Sequence, residues 1–68
     1  MIVFSTVLEI NGRPTVYSVY KNGGTVFFNP PRSERAPILF ATQYDSSWRV
    51  KGTQDHKLLE QVLKEIND

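Results

Sequence analysis

Sixty-eight residues, 40% of them hydrophobic, bound a single small domain. Folding at that length buries only about 60% of the surface the unfolded chain exposes, so the margin of stability is thin. Eight Lys and Arg against seven Asp and Glu give a net charge of +1, which argues against the strongly basic balance of most non-specific nucleic-acid binders. Without cysteine there is no disulfide, no thiolate ligand for zinc and no thiol redox chemistry, a composition that fits a reducing, cytoplasmic setting.

The chain opens on Met1-Ile2-Val3-Phe4, which is apolar but lacks a basic leader and gives way at once to Ser5 and Thr6. This reads as a strand, not as a signal peptide or a membrane span. The first strand is predicted over Ile2 to Ile10, with Ile2, Phe4, Leu8 and Ile10 on one face and Val3, Ser5, Val7 and Glu9 on the other. Asn11-Gly12 is a strong hairpin signal, whether the loop is those two residues or runs to Pro14. Either way Tyr17 and Val19 of the second strand, Thr15 to Tyr20, join Phe4 and Leu8.

A second turn at Asn22-Gly23 leads to the third strand, Thr25 to Asn29, and sets Val26 and Phe28 opposite Val19 and Tyr17. The predicted core face is therefore Ile2, Phe4, Leu8, Ile10, Tyr17, Val19, Val26 and Phe28. Asn29-Pro30-Pro31 ends the third strand, because proline gives no N–H to a ladder. A loop from Pro30 to Pro37 follows, carrying Arg32-Ser33-Glu34-Arg35.

The fourth strand is predicted over Ile38 to Tyr44 and the fifth over Trp48 to Lys51, around a turn at Asp45-Ser46-Ser47. A two- or four-residue turn would pair Gln43 with Trp48 and put Leu39, Ala41, Trp48 and Val50 on one face. A three-residue turn would instead group Ile38, Phe40, Tyr44, Trp48 and Val50, and this is the expected register because it segregates the larger apolar residues better. After Gly52 the hydrophobic period changes from two to 3.6. A helix is predicted over Gln54 to Asn67, capped by Thr53, with Asp55 in its first turn. Leu58, Leu59, Val62, Leu63 and Ile66 form its apolar stripe, which is expected to pack on the core face.

The fold class expected is thus α+β: a small antiparallel meander of about five strands packed on one C-terminal helix. No catalytic constellation emerges. His56 is the only histidine, and its neighbour Asp55 would point about 100° away from it on a helix, which is poor geometry for orienting an imidazole. No cofactor or metal site is expected, since Asn11-Gly12 and Asn22-Gly23-Gly24 are hairpin turns that lead into no helix, and a single histidine with scattered carboxylates does not cluster ligands.

The remaining candidates are surfaces. Val3, Val7, Val16, Tyr20 and Phe27 share the face opposite the helix, so a sheet backed by one helix would expose an apolar patch unless it curled around it. That patch points to a protein partner, foremost a second copy of the chain in a homodimer. The alternative is weak binding of single-stranded nucleic acid, with Tyr20 and Phe27 stacking on bases and Arg32, Arg35, Arg49 and Lys51 meeting phosphates. The expected function is non-enzymatic interaction.

Overall fold

The computed structural model describes residues 2–67, with Ile2 and Val3 described by backbone alone. Five strands come first, β1 (Ile2–Ile10), β2 (Arg13–Asn22), β3 (Thr25–Asn29), β4 (Leu39–Tyr44) and β5 (Ser47–Lys51), followed by the helix α1 (His56–Asn67). They form one antiparallel sheet in the order β1-β2-β3-β4-β5, the α+β meander expected. The sheet curls so that both edge strands, β1 and β5, come against α1.

Turn chemistry sets each register. Asn11 and Gly12 have φ of 53° and 79°, the paired positive values of a type I′ turn, and Ile10 faces Arg13 across it. The next loop is Gly23-Gly24, not Asn22-Gly23. Asn22 still pairs with Thr25, and Gly23 takes the positive φ of 62° that the first central position of a type II′ turn requires. Phe28 therefore faces Val19, and Val26 faces Lys21. This is a slip of two residues from the expected pairing, which preserves every face because the side-chain period is two.

The last hairpin overturns the expected three-residue turn. Asp45 and Ser46 adopt φ of 49° and 67°, making a two-residue type I′ loop without glycine, while the Ser47 hydroxyl donates to the Tyr44 carbonyl at 2.9 Å. Gln43 pairs with Trp48 and Ala41 with Val50. Leu39 and Ala41 accordingly enter the core, and Phe40 turns to the outer face.

Leu8, Tyr17, Val19, Val26, Phe28, Leu39, Ala41, Leu58 and Val62 form the buried cluster between sheet and helix, with Ile10, Trp48, Val50 and Ile66 packed at its margin. Phe4 departs from the expected core. It is 41% exposed, because it lies where the C-terminal turn of α1 leaves a hollow and not a lid. The expectation for Ile2 falls on a side chain outside the described residues. Its backbone pairs with Tyr20, across a bulge that separates it from Phe4.

The helix begins two residues later than expected, and Asp55 is its cap. The Asp55 carboxylate accepts from the Lys57 N–H at 2.9 Å, and the Thr53 hydroxyl accepts from the Asp55 N–H at 3.1 Å. Asp55 thus stands just outside the first turn and Thr53 shapes the approach. Between β5 and the helix, Gly52 has a φ of 107°, and a Cβ there would collide with the Ile38 carbonyl. Among the described residues no helix is long and apolar enough to cross a membrane.

Candidate functional site

The sheet has an inner face closed by α1 and an outer face that no other element covers among the described residues. On the outer face Val7 of β1 sits directly opposite Val16 of β2, and each is 55% exposed. Farther along the strands, Tyr20, Phe27, Phe40 and Lys51 are successive cross-strand partners, one row running through β2, β3, β4 and β5. The Phe27 and Phe40 rings lie 6.2 Å apart at 38°, a tilted pair within the range where aromatic contacts are favourable. All three aromatic residues of the row are half-buried by their neighbours.

Polar pairs border that row. The Thr25 and Thr42 hydroxyls meet at 3.3 Å, and the Arg49 guanidinium stands 4.8 Å from the centre of the Tyr44 ring. Of the interface candidates read from the sequence, Val7, Val16, Tyr20 and Phe27 therefore share one open surface. The side chain of Val3 lies outside the described residues. Phe40 is the member that sequence reasoning missed. Its signal was the Asp45-Ser46 dipeptide, which reads as a two-residue turn only if a serine accepts a positive φ.

The basic candidates do not come together. Lys51 and Arg49 belong to the outer face. Arg35 lines a hollow with Ile10, Arg13 and Thr15, which are inner-face positions at the opposite end of the sheet, and Arg32 is exposed in the same loop. That loop is anchored from inside: the buried Tyr17 hydroxyl donates to the Pro37 carbonyl at 2.8 Å, and burial raises the phenol above its ordinary pKa of 10.0. His56 is exposed at the start of α1, and the Asp55 carboxylate beside it is engaged by the Lys57 N–H.

A second concavity lies on the inner face, at the end of the sheet that α1 leaves open. It measures about 120 Å³ and is walled by Phe4 from one edge strand, Trp48 from the other, and Glu65 and Ile66 from the last turns of the helix. No protein-family model, curated protein or solved structure matches the chain.

Proposed function

We propose that this chain is a small non-enzymatic interaction module that associates with protein, a second copy of itself first, through the outer face of its sheet. The observation that carries this reading is the opposed pair Val7 and Val16, each more than half exposed, on the same face as the row Tyr20, Phe27 and Phe40. Apolar side chains gathered on one open face are the kind of feature that marks a contact surface. A two-fold dimer would place the patch against itself. It would also add buried apolar area to a chain too short to bury much alone.

Light scattering over a range of concentrations tests this. The expected result is a dimer that Phe27→Asp splits while the helical circular dichroism is retained. A monomer at the highest concentrations, with Phe27→Asp indistinguishable from the parent, would refute self-association.

Lys51 at the end of the aromatic row supports a second reading, single-stranded nucleic acid stacked on that row. Its mark would be weak binding that falls steeply with salt and depends on Lys51 and Arg49. Arg35 faces the wrong side of the sheet to contribute to it.

A further inference from the structure

The hollow on the inner face has a construction that the association surface does not explain. Its floor is core: Val19 and Phe28 are buried. Two of its walls are the aromatic side chains Phe4 and Trp48, carried by the two edge strands that curl towards the helix. The helix adds a carboxylate, Glu65, which is half-buried and fixed by a hydrogen bond of 2.6 Å donated by the Thr6 hydroxyl to its Oε1.

We infer that this cup binds the head of a small alkylated ammonium ion. Two features select that chemistry over a neutral apolar group or an anion. Two aromatic side chains, Phe4 and Trp48, wall a space of about 120 Å³ above the buried Phe28, enough for a compact head group and too small for a drug-sized ligand. A cation with an apolar skirt gains from aromatic rings without the heavy desolvation of a bare ammonium. A held carboxylate at the wall supplies the opposite charge, with one oxygen already engaged and its position therefore set.

Lys21 lines the mouth and carries the same sign as the ligand. It is exposed, and its four-carbon stem lets the ammonium remain in water, so it weakens the site without closing it. The exposure of Phe4, otherwise anomalous for a phenylalanine on the inner face, follows from its position as a wall. The site lies on the face opposite the proposed dimer surface, so the two readings stand or fall separately.

The test is a titration with choline chloride against sodium chloride at equal ionic strength, followed by Trp48 fluorescence and by the amide and indole NMR shifts. The same titration is run with the uncharged isostere in which carbon replaces the quaternary nitrogen. Saturable shifts centred on Phe4, Trp48 and Glu65 are expected with choline, with the isostere and Glu65→Gln each weaker by about tenfold. Glu65→Gln keeps an acceptor for Thr6, so a loss there reports charge and not folding. Phe4→Ala should abolish binding, with Phe4→Leu as the bulk-preserving control, and Lys21→Met should tighten it. Equal binding of choline and the isostere, indifference to Glu65→Gln, or no saturation with choline would overturn the inference.

Discussion

The side-chain amide of Gln61 binds the backbone of Glu9 twice: its Oε1 accepts from the Glu9 N–H at 2.8 Å and its Nε2 donates to the Glu9 carbonyl at 3.1 Å. One amide thereby occupies the edge of β1 as a neighbouring strand would, and it ties the helix to the sheet. The arrangement also accounts for Pro14, which sits inside β2 opposite Glu9. Because the Glu9 backbone groups point outward to Gln61, this pair needs no N–H from residue 14. The other edge, β5, is managed differently: it is five residues long and carries Arg49 and Lys51, the short charged kind of edge that resists further pairing.

Gln61→Glu should destabilise the fold more than its near-isosteric shape suggests. The carboxylate cannot donate to the Glu9 carbonyl and sets charge against it, so a loss of about 0.5–1.5 kcal/mol is expected in urea denaturation. A midpoint unchanged from the parent would show that the clamp contributes nothing.

Leu58 and Val62 are the fully buried residues of the helical stripe, while Leu59 and Leu63 are half-buried. Leu58→Ala should cost about 2–5 kcal/mol, enough to unfold much of so small a domain. Leu59→Ala and Leu63→Ala should melt closer to the parent. The reverse ranking in thermal melts would place the helix in a different rotation on the sheet.

Gly52→Ala should be destabilising by more than about 1 kcal/mol, because the substitution meets both an unfavourable φ and the Ile38 carbonyl. Gly12→Ala, where a Cβ would meet open space, carries only the conformational penalty. Equal melting temperatures for the two variants would count against the close approach at Gly52.

Tyr17→Phe removes the hydrogen bond to Pro37 and should loosen the 30–38 connection, read as faster amide exchange at Ile38. It should also change the alkaline limb of stability. Burial raises the folded phenol above 10.0, so above that pH the unfolded chain loses the proton first. Stability is then fully present below the unfolded pKa and lost as pH rises towards the folded one. The phenylalanine variant should lack that component of the loss, and an identical pH profile for both proteins would contradict the assignment.

Faces were legible in the chain because they depend on parity. Alternation of Leu8, Tyr17, Val19, Val26 and Phe28 survives any slip of two residues, so moving the second turn from Asn22-Gly23 to Gly23-Gly24 changed partners and left the face intact. The helical stripe was legible for the same reason, its period being local. What sequence could not decide was any feature resting on a choice between near-equal local states. Asp45 and Ser46 both take positive φ although neither is glycine, and that choice sent Phe40 outward and Leu39 inward. The pairing of Gln61 with Glu9 spans 52 residues and has no local signature. Phe4 reads as core by its alternation, yet only the place where α1 ends determines that it becomes the wall of a hollow. Local periodicity sets which side of an element is apolar; how far a neighbouring element reaches across that side is a property of the assembled packing, and it decides which of those residues meet water.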